Sequence, residues 1–165
     1  MDLPIDAMRA DDWQAVRRIY QEGLATGNAS FETEAPSWDA WNAKYQAHSR
    51  LVAREGGRVV AWAALAPVSP RACYAGVAEV SLYVTNDCRG RGVGRKLMDA
   101  LIAESEQNGI WTLYGSTFPE NVASLRLQEA CGFRYIGRRE RIAKRDGVWR
   151  DTVMTERRSK VVGVE

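Results

Sequence analysis

A run of glycines and arginines between a strand pattern and a helix pattern is the feature that most restricts this fold. Residues 88–97 read CRGRGVGRKL. They follow AEVSLYV (78–84), in which polar and apolar side chains alternate as in a half-buried strand. They lead into Val93, Leu97 and Leu101, whose four-residue spacing is typical of a helix. Glycines at such a junction leave the first N–H groups of the helix open to an anion, most often a phosphate.

The glycine spacing excludes two common phosphate loops. A Walker loop would need glycine five residues after Gly90, where Arg95 stands. A dinucleotide loop would need its third glycine one residue later than Gly94, and in the first strand–helix unit of the chain. A tight strand-to-helix turn with solvated arginines remains the structural alternative to an anion site.

Composition limits the partners and the compartment. The net charge of +2 is too small to predict a nucleic-acid partner, although residues 134–160 are rich in Arg and Lys. That segment is interpreted as a solvated sheet face, with nucleic acid or an anionic ligand as the alternative. The acidic start has no apolar leader core and no stretch has the length of a membrane span, so a cytoplasmic protein without a membrane segment is expected.

The cysteine and histidine content argues against a metal. Cys73, Cys88 and Cys131 are far apart and form no CxxC pair, and His48 is the only histidine. Neither a disulfide framework nor a zinc site fits this pattern, and no metal is expected.

Periodicity and turn residues predict the element order β-α-α-β-β-β-α-β-α-β-β. Hairpins are expected at Gly56–Gly57 and Asp146–Gly147, which are residue pairs that suit tight turns. Asp11 or Asp12 is expected to cap the first helix and Ser37 the second, over residues 38–49. Asn121 is expected to cap the last helix. Two strand–helix–strand crossovers within a meander indicate an α/β (α+β) fold whose mixed sheet carries helices on both faces.

Two motifs resemble those of the GNAT superfamily of acetyl-CoA-dependent N-acyltransferases. Arg89, Gly92 and Gly94 match the pattern [Q/R]-x-x-G-x-[G/A] of its pyrophosphate loop, and ENVASLRLQEACGF (120–133) matches its N-x-x-[AS]-x-x-L-x-x-x-x-G-F segment. The element order matches over nearly the whole chain. The resemblance implies one GNAT domain over residues 1–165, with a mostly antiparallel sheet of about seven strands. It also implies acetyl-CoA as co-substrate and no metal.

A narrower resemblance concerns the acceptor. NASFETEAP (28–36), VAEVSLYVTNDCRGRGVG (77–94) and DGVWRDTVMTERR (146–158) are similar to the phosphinothricin and methionine-sulfoximine N-acetyltransferase branch. This implies a homodimer that acetylates the α-amino group of a small amino-acid-like molecule. From the low net charge and the lack of a long apolar stretch, no nucleic-acid or membrane partner is expected. A GNAT enzyme acting on a protein N-terminus or lysine, and a non-catalytic CoA- or nucleic-acid-binding module, remain open alternatives.

The resemblance also assigns the acetyl-CoA contacts. Backbone groups of the strand before the glycines would meet the acetyl and pantetheine part, the N–H groups of residues 90–95 would hold the pyrophosphate, and the last helix would approach from the other side. The predicted contacts are Leu82, Tyr83, Val84, Arg89, Gly90, Arg91, Gly92, Val93, Gly94, Arg95, Asn121 and Ser124.

Glu79 is the predicted general base, because it lies on the strand entering the site where branch relatives carry Glu. Its alternative is an exposed strand glutamate or an ion-pair partner. Many GNAT enzymes have a tyrosine at the position of Gln128, where it protonates the leaving thiolate, and an amide cannot do so. Either no acid is needed, or Tyr114 or Cys131 supplies it.

The same resemblance implies that two loops border the acceptor. They contribute Phe31 and Glu32, and Arg71, Ala72, Cys73 and Tyr74. Arg71 could pair with a substrate carboxylate. An apolar contact for Phe31 and a surface position for Arg71 are the alternatives.

Overall fold

The computed structural model describes residues 3–165, which form seven strands and four helices. The strands are β1 (Ile5–Ala7), β2 (Leu51–Glu55), β3 (Arg58–Pro67), β4 (Val77–Val84), β5 (Thr112–Thr117), β6 (Arg134–Arg145) and β7 (Val148–Arg158). The helices are α1 (Trp13–Ala25), α2 (Trp38–Lys44), α3 (Val93–Gln107) and α4 (Val122–Ala130). Single 3₁₀ turns at Ala10–Asp12, Ala72–Tyr74 and Asn86–Cys88 join some of them. The predicted order of helices and strands is confirmed.

All seven strands form one sheet in the order β1-β2-β3-β4-β5-β7-β6. Each neighbouring pair is antiparallel except β4 and β5, which are parallel. Buried side chains of α3 pack on one face of the sheet and those of α1 and α2 on the other. Strand β4 serves both faces, since Leu82 joins the α3 side and Tyr83 the α1 side. The predicted mixed sheet with helices on both faces is therefore confirmed.

The parallel strands separate after a short contact. Only Val77–Glu79 of β4 pairs with Thr112–Tyr114 of β5. Beyond Glu79, β4 continues to Val84 paired with β3 alone, and β5 continues to Thr117 paired with β7. The far half of β4 therefore presents N–H and C=O groups along an edge that no strand of residues 3–165 covers.

Local capping follows the sequence at two helices. Ser37 Oγ accepts a hydrogen bond from Ala40 N at 3.2 Å, and Asn121 Oδ1 accepts one from Ser124 N at 3.3 Å. Asp12 occupies the N-cap position of α1, as predicted, but its side chain makes no capping hydrogen bond to the helix. The carboxylate of Asp12 instead accepts from Arg9 N and pairs with the guanidinium of Arg54 at 2.8 Å.

Helix α2 ends at Lys44, earlier than predicted. The backbone N–H of Gln46 donates to Leu65 of β3 at 2.8 Å. The guanidinium of Arg50 donates hydrogen bonds to the carbonyls of Tyr45 and Gln46 at 2.9 and 2.6 Å. Because these tertiary bonds satisfy the backbone, a further helical turn offers no gain. None of the helices in the described part of the chain has the length and apolar character that crossing a bilayer requires.

Gly76, just before β4, gives a prediction about stability. A methyl group at Gly76 would lie 2.0 Å from the ring of Trp111. The backbone N–H of Trp111 also donates to the Gly76 carbonyl at 2.8 Å, which holds the two residues together. We expect Gly76→Ala to lower the free energy of unfolding by about 1–3 kcal/mol, as overpacking does. Gly137→Ala is the control, because a methyl group there meets nothing within 4 Å. Urea unfolding of both variants measures the effect, and equal midpoints would contradict it.

Candidate active site

A cleft of about 850 Å³ lies where β4 and β5 separate. Both strands, the glycine segment, α4 and the loop after α1 contribute to it. Its lining includes residues 79–84, 88–90, 92–95, 115–118, 120–124, 126–128 and 28–31, together with Lys44. The structure thus gathers segments that are far apart in sequence around one opening.

The glycines of the loop have two different functions. Gly90 and Gly92 have φ angles of 74° and 82°, and Gly92 immediately precedes α3. These left-handed values favour glycine and turn the chain from β4 into the helix. Gly94 has an ordinary φ, but a methyl group there would lie 3.2 Å from Leu127 of α4. The first two glycines therefore shape the loop, and the third lets α4 approach α3.

The three arginines of the loop differ in direction. Arg89 and Arg95 line the cleft, and Arg95 pairs with Asp99 at 3.2 Å while half exposed. Arg91 instead pairs with Glu55 of the β2–β3 hairpin at 2.6 Å and holds the pKa of that carboxyl below its ordinary value. Arg91 is not part of the cleft lining.

Glu79 lies at the point where β4 and β5 separate. It is the last β4 residue paired with β5, opposite Tyr114. Burial raises the pKa of its carboxyl above the ordinary value, and the charges of Lys44 and Arg139 partly oppose that shift. Across residues 3–165 its carboxylate has no hydrogen bond or ion pair, and the residue lines the cleft. A carboxyl of raised pKa is well suited to take a proton near neutral pH.

Two neighbours share the face of Glu79 on β4. Ser81 Oγ accepts a hydrogen bond from Tyr45 Oη at 2.9 Å. Tyr83 stacks against Tyr20 and Trp62, with ring centroids 4.8 and 5.1 Å away. Burial raises the pKa of Tyr83, which therefore stays neutral. This aromatic stack packs against β4 on the α1 side of the sheet.

Asn121 links α4 to the loop after α1. Besides capping the helix, its Nδ2 donates to the carbonyl of Asn28 at 3.2 Å. Phe31 of that loop lies edge-on to Phe118, with ring centroids 4.9 Å apart, and lines the cleft. Glu32 is exposed and is not in the lining.

Two arginines that the sequence analysis did not single out hold the same loop. Arg145 donates to the carbonyl of Ser30 at 3.0 Å, and Arg150 donates to Asn28 Oδ1 at 3.0 Å. The guanidinium of Arg150 also lies 3.9 Å from the centroid of the Phe118 ring. The basic hairpin β6–β7 thus has a structural partner, which single-sequence patterns could not reveal.

The second predicted acceptor loop contributes no residue to the cleft lining. None of Arg71, Ala72, Cys73 and Tyr74 is part of the cleft lining, and the Arg71 guanidinium sits 5.5 Å from the Tyr74 ring centroid. The cation that does line the cleft near Glu79 is Lys44, at the end of α2. A lysine in the last turn of a helix is common, so its sequence position carried no functional signal.

Neither alternative acid faces the cleft. The hydroxyl of Tyr114 donates to Met154 Sδ at 3.2 Å. Burial raises the pKa of the Cys131 thiol, which contacts Asp99. Both residues lie outside the lining of the cleft, whereas Gln128 lies within it.

Comparison with known proteins agrees with this arrangement. Residues 13–133 match the Acetyltransferase (GNAT) family. The chain is 34% identical over 160 residues to the phosphinothricin N-acetyltransferase of Alcaligenes faecalis, covering 93% of this chain and 81% of that protein. It is 30% identical over 129 residues to the L-methionine sulfoximine/L-methionine sulfone acetyltransferase of Pseudomonas aeruginosa, covering 78% and 70%.

The fold also matches a solved structure with its co-substrate. The crystal structure of a GNAT superfamily phosphinothricin acetyltransferase from Sinorhizobium meliloti in complex with AcCoA superposes with a TM-score of 0.87 at 23% identity, covering 100% of this chain and 92% of that one. The family match over most of the chain decides the assignment: the chain belongs to the GNAT family of acetyl-CoA-dependent N-acetyltransferases.

Proposed function

We propose that this acetyltransferase acts on the α-amino group of small amino-acid-like molecules that carry a tetrahedral sulfur or phosphorus group, with Glu79 as general base. Residues 1–165 would form its single catalytic domain. The observation that carries the proposal is the unpaired, half-buried carboxylate of Glu79 where β4 and β5 separate, beside the glycine loop. The acceptor class is supported by the activities for which the Alcaligenes faecalis and Pseudomonas aeruginosa relatives are named.

Acetyl-CoA would lie along the open edge of β4. Main-chain groups of Leu82, Tyr83 and Val84 would pair with the acetyl and pantetheine part as an added strand does. The N–H groups of residues 90–95 would hold the pyrophosphate, aided by the helix dipole. Asn121 and Ser124 would border the pantetheine from α4. Arg91, whose guanidinium pairs with Glu55, would contribute its backbone alone.

The reaction follows from this placement. Glu79 takes a proton from the substrate ammonium, directly or through water. The amine nitrogen then bonds to the thioester carbon and loses its second proton to solvent, and the C–S bond breaks with its electron pair leaving on sulfur. The products are the N-acetyl compound and the CoA thiolate, and the proton on Glu79 passes to solvent.

Lys44 is the best-placed partner for an acceptor carboxylate. It lines the cleft and lies near enough to Glu79 to lower the pKa of that carboxyl. A base for the amine and a cation for the carboxylate in the same cleft match the two charges of a free α-amino acid. Phe31 would border the side chain of such an acceptor, and Glu32 and the 71–74 loop would form the outer rim.

A screen of amines tests the acceptor class. Thiol release is measured with methionine sulfoximine, methionine sulfone and phosphinothricin, then with polyamines, aminoglycosides and N-terminal peptides. We expect turnover of the free amino-acid analogues. Turnover of peptides or polyamines without any free α-amino acid would overturn this acceptor class and leave the GNAT assignment standing.

Lys44 gives a prediction of its own. We expect Lys44→Met to lower kcat/KM about fivefold for the carboxylate substrate, as an accessible ion pair is worth up to about 1 kcal/mol. The corresponding amide substrate should be unaffected. Because Lys44 lowers the pKa of Glu79, its loss should also move the acidic limb of the pH–rate profile to higher pH.

The matched controls for Lys44 are two other substitutions. Lys44→Arg keeps the positive charge. It should therefore keep both the preference for the carboxylate substrate and the position of the acidic limb in the pH–rate profile. If Arg71→Ala rather than Lys44→Met removes the preference for the carboxylate, Arg71 is the partner.

The chain is further proposed to be a cytoplasmic homodimer. Strand β6 ends the sheet and exposes Tyr135 and Ile136, and the start of β7 exposes Trp149. An open strand edge with apolar side chains favours pairing with a second copy. The three cysteines are free thiols, as is usual in a reducing compartment. Sedimentation analysis of the wild-type protein and of Tyr135→Glu tests the dimer.

A further inference from the structure

A buried polar cluster surrounds Gln128 in the middle of α4. The Gln128 side chain is 7% exposed. Its Nε2 donates to Thr117 Oγ1 at 2.8 Å and to Ser124 Oγ at 3.1 Å, and its Oε1 accepts from Thr155 Oγ1 at 2.6 Å. Both amide hydrogens and the carbonyl oxygen are therefore used, which locks the orientation of the amide.

One hydroxyl hydrogen of this cluster, that of Ser124, has no acceptor among the described residues. A serine hydroxyl has one hydrogen to donate and can accept from others. Ser124 Oγ accepts from Gln128, so its own hydrogen must point elsewhere, and the described residues offer it no acceptor. Ser124 is half-buried and lines the cleft. Its hydrogen is thus available to a group bound in the cleft.

Gly115 of β5 makes room for the cluster. A methyl group at Gly115 would lie 2.5 Å from Thr155 Oγ1 and 2.7 Å from Gln128 Oε1. Any larger residue would displace the acceptor oxygen of the amide. Glycine at this strand position, whose φ is ordinary, therefore serves the hydrogen-bond network and not the backbone.

We propose that the hydroxyl of Ser124 stabilises the departing CoA thiolate and that Gln128 positions it. The proposal rests on the direct transfer described above. As the C–S bond breaks and the electron pair moves to sulfur, Ser124 donates a hydrogen bond to that sulfur. The proton stays on Ser124, and the thiolate leaves as an anion. Gln128 acts through Ser124, in the position where many GNAT enzymes carry a tyrosine acid.

The first test separates catalysis from binding. We expect Ser124→Ala to lower kcat about tenfold, because a hydrogen bond to a charged group is lost. The Kd of acetyl-CoA from calorimetry should change less than threefold. Gln128→Met should lower kcat by a similar factor in the wild-type protein and by less than twofold in the Ser124→Ala protein, since its effect runs through Ser124. Glu129→Gln, at an exposed position of α4 outside the cleft lining, should keep kcat within twofold.

The second test varies the leaving group. In the selenium analogue of acetyl-CoA the departing selenolate is a weaker base than a thiolate and needs less stabilisation. We expect the deficits of Ser124→Ala and Gln128→Met to shrink at least threefold with this donor. A merely structural defect would lower kcat by the same factor with acetyl-CoA and with its selenium analogue.

Two outcomes would overturn the proposal: equal deficits with the two donors, or additive losses in the double variant. If Gln128→Met does not fold, Gln128→Glu replaces it, and Ser124→Ala stands alone because its site is half-exposed. The tests use whichever amine the wild-type protein acetylates. If the acceptor is not an α-amino acid, the amine screen will show it, whereas the ratios of wild-type to variant rates with the two donors will be unaffected.

Discussion

Glu79→Gln is expected to turn over about 10² to 10⁴ times more slowly than the wild-type protein, the usual contribution of a positioned base. Glutamine keeps the size and hydrogen-bonding shape of the side chain but cannot take a proton. The affinity for acetyl-CoA should stay nearly unchanged, because the proposed co-substrate contacts lie farther along β4 and in the glycine loop. Steady-state rates and calorimetry on the same preparations measure both effects.

The pH–rate profile gives the sharper reading of Glu79. A base acts when deprotonated, so the rate falls as pH falls through its pKa. Burial raises the pKa of Glu79. The midpoint of the acidic limb should therefore lie above about 4.3, the ordinary pKa of a glutamate side chain. Glu129→Gln is the control, since Glu129 is exposed and outside the cleft lining. A Glu79→Gln protein with wild-type rates and the same acidic limb would show that another group is the base.

Gly92→Asp is expected to weaken acetyl-CoA binding between about tenfold and a hundredfold. A carboxylate at the residue before α3 would face the pyrophosphate, and two like charges about 4 Å apart repel by roughly 4 kcal/mol at an effective dielectric constant of 20, before solvent screening. The site has space for the side chain, because nothing lies within 4 Å of a methyl group there. The charge and not a clash should therefore dominate.

The matched variant for this prediction is Gly92→Asn. The backbone at Gly92 has a φ of 82°, and Asn and Asp are the non-glycine residues that accept such values best. Their strain is therefore comparable, and the difference in affinity between the two variants reports the charge. Calorimetric titration of both with acetyl-CoA measures it. Equal affinities would mean that the phosphates bind elsewhere.

The sequence alone determined the parts that depend on near neighbours. The Gly56–Gly57 pair predicted the β2–β3 turn, and Asp146–Gly147 predicted the β6–β7 turn. Ser37 and Asn121 were predicted to cap their helices, and they do. Turns and caps depend on a few consecutive residues, so the sequence reveals them. The alternation in β4 likewise predicted that Leu82 and Tyr83 face opposite sides of the sheet. The glycine loop followed from the same local logic.

Only the tertiary structure decided which side chains reach the cleft. The side chain of Asp12 pairs with Arg54, 42 residues away, instead of capping α1, and Arg91 turns to Glu55, 36 residues away. Lys44 lines the cleft although no motif singled it out, and the 71–74 loop does not, although it was predicted to border the acceptor. A long side chain can choose among partners that only folding brings near, and desolvation and charge then select one. No pattern within a single segment encodes that choice.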